Sequence, residues 1–207
     1  MDARALCRII GFVCSLASAA AAALPARPAS TDPDEARILE KRTIDIPVEG
    51  CVTGTFERAF AVLGETNLLD SVQSAYAAQL PAGQQPEFVV HSTAPGLYFY
   101  VNKNSERCDI RELWRRTDSN RWFQVAFHVR GERSFGPFES LIYLTVARTD
   151  AAPPRELHYV AEVRAWPQPF WVRFLAQHLP GIECYFRMKT AEMRGIITRV
   201  FARMVAA

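Results

Sequence analysis

The chain has 207 residues, 49% of them hydrophobic, and its 24 lysines and arginines against 22 aspartates and glutamates leave a net charge of +2. That length suits one domain with a sizeable core. A balance so near neutral excludes a dedicated nucleic-acid binder, which carries a strong basic excess.

Residues 1–26 have the layout of a secretory signal. Arg4 and Arg8 precede an apolar, alanine-rich run from Ile9 to Leu24, and small residues follow. The run is shorter than the ~20 residues a spanning helix needs, so cleavage is expected, after Ala23 or Ala26. The mature chain would then be exported, periplasmic or extracellular. Residues 27–38, rich in Pro, Ala, Ser and Asp, read as a flexible segment, and residues 39–207 as the folded domain.

Of five cysteines, Cys7 and Cys14 fall in the leader. Among Cys51, Cys108 and Cys184, an oxidising compartment makes Cys51 with Cys108 the preferred disulfide, with three isolated buried thiols as the alternative. Their spacing, without a CxxC or a nearby histidine, predicts no metal site. No cofactor is expected.

Glu40 to Pro47 alternates and predicts a short first strand on a sheet edge. Thr53 or Thr55 would cap a helix through Leu63, and a second helix runs from Asn67 to Leu80, ended by Pro81-Ala82-Gly83. Phe88–His91 and Leu97–Val101 flank Pro95-Gly96 as a hairpin. Strands follow over 109–116, 121–129, 138–148 and 156–166. One parity is mostly apolar: Phe123, Val125, Phe127 and Val129, then Phe138, Ile142, Leu144 and Val146, then Leu157, Tyr159, Ala161 and Val163. That is a sheet with one buried face. Phe170 to His178 predicts a short helix. From Ile182 to Met204 apolar residues recur in steps of three and four, predicting one long amphipathic helix.

A short strand, two helices, six strands and a long closing helix resemble the helix-grip fold of the START-like (SRPBCC) superfamily, over roughly residues 40–206. Gly136-Pro137-Phe138-Glu139 opening a long late strand and Leu179-Pro180-Gly181 before the last helix carry the rest of the resemblance. It implies an α+β fold in which a curved antiparallel sheet wraps a long C-terminal α-helix, with two short helices after the first strand. It also implies an apolar cavity between sheet and helix. Members bind lipids, sterols, polyketides or other hydrophobic molecules, and a minority catalyse cyclisation or hydrolysis.

No catalytic signature accompanies these elements. His128 alternates with Phe127 and Val129 and is expected to point outward, as are His91 and His158. Ser140 lacks the Gly-x-Ser-x-Gly elbow of a nucleophile and reads as a small core residue. Glu112 shares parity with Cys108, Ile110 and Trp114, so it is either a buried carboxylate needing a partner such as Arg130, or part of an outer polar face. Trp166, Phe170, Trp171 and Phe174 form an aromatic cluster that would be a cavity lid, a membrane-touching patch or ordinary packing.

The expected function is export and carriage of a hydrophobic, lipid-like small molecule, with transient membrane contact. Its site would comprise Phe99, Glu112, Phe127, Ile142, Tyr159, Met193 and Ile197. The alternatives are an enzyme using Glu112, His128 or Tyr159 as acid and base, and an interaction domain with a filled interior.

Overall fold

The computed structural model describes residues 24–86, 88–102, 104–118, 121–134, 136–148, 156–178 and 194–205. In chain order these give α1 (Pro33–Leu39), β1 (Ile44–Thr53), α2 (Phe56–Leu63), α3 (Leu68–Ala77), β2 (Phe88–Ala94) and β3 (Leu97–Asn102). Then come β4 (Arg107–Asp118), β5 (Trp122–Arg133), β6 (Gly136–Arg148), β7 (Glu156–Pro167), α4 (Phe170–His178) and α5, residues 194–205.

All seven strands join one sheet in the order β1-β7-β6-β5-β4-β3-β2, antiparallel throughout. Helices α2 and α3 carry the chain from one edge to the other. Pro47 lies within edge strand β1, where a missing N–H costs no central ladder bond. The β2–β3 hairpin turns on Pro95-Gly96, with Gly96 at φ +72°, the left-handed position a glycine takes readily.

One face of the sheet carries the main core. Phe123, Val125, Phe127 and Val129 of β5 meet Val146 of β6 and Leu157, Tyr159 and Ala161 of β7 on the parity expected. Phe56, Ala59 and Leu63 of α2, Leu68 and Tyr76 of α3, and Val200, Phe201, Met204 and Val205 of α5 close over them. A sheet face and three helical stripes that are all apolar leave water together, and that burial holds this side shut.

The expected helix-grip architecture is overturned. The described structure is mostly a seven-stranded antiparallel sheet with five short helices, and no long C-terminal helix is wrapped by a curved sheet. Described α5 covers only residues 194–205 and meets the β1–β7 end, where Tyr159 packs edge-on to Phe201 at 6.2 Å. The other end already belongs to α2 and α3. Tyr98 Oη donates to the Thr66 carbonyl at 3.1 Å, and Tyr76 stacks on Phe88 at 4.9 Å. A periodic stripe in sequence cannot reveal that the surface it would cover is taken.

Two further expectations change. Cys51 and Cys108 are free thiols: β1 and β4 are separated by β7, β6 and β5, and Cys51 is exposed while Cys108 is buried. Burial pushes the Cys108 thiol up to about 11, so it stays protonated and inert at neutral pH. Residues 33–39, in the stretch read as flexible, form a capped helix with Glu35 and Ile38 buried.

Candidate functional site

The second face of the sheet is not left to solvent. Ile38 of α1 packs onto Ala126, Leu141 and Tyr143, with Leu39, Leu113 and Trp114 beside them. Asp32 starts this helix as N-cap, its carboxylate accepting from the Asp34 and Glu35 amides at 2.9 and 3.2 Å, and Pro33 follows at the first helical position. Arg111 of β4 clamps the cap, donating to Asp32 Oδ2 at 2.7 Å and Asp34 Oδ2 at 2.9 Å. The Arg111 hydrogen bond, opposed by some burial, holds the Asp32 carboxyl below its ordinary range.

Glu35, 0% exposed, accepts from Trp114 Nε1 at 3.2 Å to each oxygen and from Tyr143 Oη at 2.9 Å. The carboxylate thereby fixes both rings, whose centroids lie 6.1 Å apart. Tyr143 is pushed well above the usual phenol range, first by burial and then by its bond to Glu35, so it remains a donor. A turn further along α1, Arg37 donates to Glu139 Oε2 at 2.5 Å, and His128 Nε2 lies 3.0 Å from the same oxygen. Gln168 Nε2 reaches Glu139 Oε1 at 3.2 Å. Burial pushes the Glu139 carboxyl up, but the bonds from Arg37 and His128 outweigh it and the net displacement is downward.

Beside the Trp114–Tyr143 pair lies a cavity of about 160 Å³, lined by Leu24, Pro25, Arg27, Gln124, Thr145 and Val160 together with the two rings. Trp114, Ala126, Tyr143 and Glu162 pair across β4 to β7, which sets Trp114, Tyr143 and Glu162 in one row along the cavity. Arg27 closes one side, paired with Glu162 and with its guanidinium 3.5 Å over the Tyr143 ring. Gln124 is 4% exposed. Its Nε2 donates to the Pro25 carbonyl at 3.0 Å and Thr145 Oγ1 at 3.3 Å, while its Oε1 has no partner. A buried carbonyl without a donor is a cost to the fold.

The residues expected from sequence to bind ligand are divided by the sheet. Phe127, Ile142, Tyr159 and Ile197 share the main core. Tyr159 Oη lies 2.6 Å from Thr198 Oγ1 and donates to the Arg194 carbonyl at 3.3 Å, so sheet and α5 are in direct contact there. Phe99 faces the other way, stacked on His91 at 4.8 Å under Arg107 at 4.1 Å. Met193 lies outside the described residues.

Glu112 is on the core face, but its partner is Arg115, at 2.9 and 2.7 Å, rather than Arg130. Arg115 also caps α2 by donating to the Leu63 and Glu65 carbonyls. A bulge at Leu113 turns Trp114 to the opposite face from Glu112. His128 does point away from the main core, yet α1 buries it. Glu112 and Tyr159 therefore face one side and His128 the other, and the three do not converge on a shared substrate. Among the described residues, no group of three or more His, Cys, Asp or Glu side chains is arranged to hold a metal. No described helix is long and apolar enough to cross a membrane.

Sequence reading missed Glu35, Trp114, Tyr143 and Gln124. The available signal was Asp32-Pro33-Asp34-Glu35 ahead of Ile38-Leu39, a helix start with apolar residues one turn on.

No family model matches the chain, and no curated protein does. Among solved structures, a hypothetical protein of Helicobacter pylori is similar at 11% identity and a TM-score of 0.50, covering 89% of this chain and 98% of its own. A conserved protein of Geobacillus kaustophilus aligns at 10% identity and TM-score 0.46, over 79% and 93%. An uncharacterized protein of Rhizobium leguminosarum aligns at 10% and 0.43, over 80% and 97%. The Helicobacter likeness concerns the fold alone.

Proposed function

We propose that this protein is an exported, non-catalytic binder of a small apolar molecule bearing one ring and one N–H or O–H donor. The observation that carries the reading is the cavity between Trp114, Tyr143 and Val160 with the Gln124 side chain among its lining residues. Leucine, proline, valine and two rings beside the polar groups of Arg27, Gln124, Thr145 and Glu162 make a mixed lining of the kind that fixes a small ligand's orientation.

Size narrows the ligand. At about 160 Å³ the space is close to an engineered apolar cavity of about 150 Å³ that takes up benzene. Drug-sized ligands occupy roughly 300 Å³ or more, and an acyl chain or sterol would not fit. The ligand is therefore smaller than the lipid expected from sequence. Export is supported by Arg4, Arg8 and the apolar run from Ile9 to Leu24.

Phenol and toluene are matched probes, similar in size and differing in the donor. Titration of each by amide-resolved NMR should move signals around Trp114 and Tyr143, with phenol binding about fivefold tighter, the equivalent of one hydrogen bond of about 1 kcal/mol. Saturating amounts of both that leave those signals unmoved would defeat the proposal.

A second reading rests on α4. Phe170, Trp171 and Phe174 are 71%, 56% and 48% exposed and lie on adjoining turns, while Arg173 folds back onto the Pro167 carbonyl at 2.6 Å. Exposed aromatic side chains in this arrangement suit transient contact with a lipid interface. Co-sedimentation with anionic phosphatidylglycerol vesicles should weaken in a Trp171→Ser, Phe174→Ser double variant; equal pelleting of both proteins would remove this reading.

A further inference from the structure

The two candidate cleavage points differ in what they leave behind, and the cavity distinguishes them. We propose that the leader is removed between Ala23 and Leu24, so that residues 24–27 remain as one wall of the ligand cavity. The proposal rests on the export reading above.

Sequence and structure favour the same bond. A cut after Ala23 places alanine at the last and third-last positions of the leader, Ala23 and Ala21, the small-x-small pattern that leader peptidases accept. A cut after Ala26 would put Leu24 at the third-last position. Residues 24–27 are also built into the fold. Leu24 and Pro25 are half-buried and line the cavity, and Arg27 bridges Glu162 while covering the Tyr143 ring.

Gln124 decides the matter. Its amide nitrogen is buried and donates to the Pro25 carbonyl, and its oxygen already lacks a partner. Removing Leu24-Pro25-Ala26 would take that acceptor away, leave the Gln124 nitrogen with Thr145 Oγ1 alone, and open the cavity on its leucine and proline side. Hydrolysis at Ala23–Leu24 adds one water across the amide, giving a carboxylate on Ala23 in the released leader and an ammonium on Leu24. The Pro25 carbonyl and the Arg27 side chain are untouched.

The test uses the full chain, expressed with its own leader in a bacterial host and recovered from the exported fraction. Intact mass and N-terminal sequencing should show a chain beginning at Leu24. A chain beginning at Arg27 would overturn this inference and leave export standing. An exported chain that keeps Met1 would also overturn this inference, and absence of the protein from the exported fraction would overturn the export reading with it. Two variants sharpen the result, one in the leader and one at Ala26, which is exposed. Ala23→Leu should accumulate precursor, whereas Ala26→Leu should be processed at the wild-type position; the reverse pattern would also overturn the assignment.

Discussion

Alternation along β5 sends Phe123, Val125, Phe127 and Val129 toward α2, α3 and α5, while Gln124, Ala126 and His128 turn toward α1 and the segment before it. The first side is closed by apolar burial, which has no direction and involves many residues at once. The second is closed by directional bonds at a few points: Arg27 to Glu162, Arg111 to Asp32, Glu35 to two rings, and Arg37 to Glu139. Several of these partners are partly exposed, where an ion pair contributes little. The side with the weaker closure also holds the cavity, and local opening costs less there.

The largest expected difference tests that contrast directly. Phe123→Ala, at a position 1% exposed, should destabilise by about 4 kcal/mol in urea unfolding, since the surrounding core can relax only partly. Ile38→Ala removes an equally buried side chain from α1 but should cost only about 2 kcal/mol, because that short helix can shift. Equal costs would mean that the two faces are held alike.

Glu139 supplies the next test. Its carboxyl is held below its ordinary value of 4.5 by Arg37 and His128 despite burial. A depressed folded value means that the group's contribution is fully present above the unfolded value. The contribution is lost as pH falls from 4.5 through the folded value. Glu139→Gln should cost about 2 kcal/mol at neutral pH, less than a fully buried pair because Arg37 is partly exposed. The variant should also flatten the decline in stability on acidification below 4.5. A wild-type acid limb that survives the substitution would point to other carboxylates.

Asp32→Ala should come next, at about 1 kcal/mol, the usual cost of losing an N-cap. Its specific signature is local: amide exchange should quicken across residues 33–39 while β5 and β7 amides remain protected. Uniform acceleration would tie α1 to the main core more tightly than the geometry suggests.

What the sequence made legible follows from which forces are periodic. The inward parity of β5, β6 and β7 could be read from Phe123, Ile142 and Tyr159, because a period of two is a property of the strand itself. The outward turn of His128 was equally readable, but its burial was not. Its cover comes from residues about ninety positions earlier in a stretch whose Pro, Asp and Arg content looks like a solvated segment. The bulge at Leu113 left no mark in composition, so Trp114 was grouped with Glu112 and the ring wall of the cavity was missed. The described part of the last helix, residues 194–205, covers only one end of the sheet, because amphipathic spacing says nothing about how much of it α2 and α3 have already covered.

Gln124→Met separates binding from stability and should have the smallest effect on the fold. The substitution keeps length and removes both amide atoms, so a buried unpaired oxygen disappears along with the hydrogen bonds to Pro25 and Thr145. Losing an unsatisfied group offsets losing a satisfied one, and the net change in unfolding free energy should stay within about 1 kcal/mol. Ligand preference should change more clearly. Phenol loses its acceptor and toluene gains apolar wall, so the roughly fivefold advantage of phenol should vanish or reverse in parallel titrations. If the variant still favours phenol by the same factor, the donor is met elsewhere in the cavity, and Gln124 is not the group that reads it.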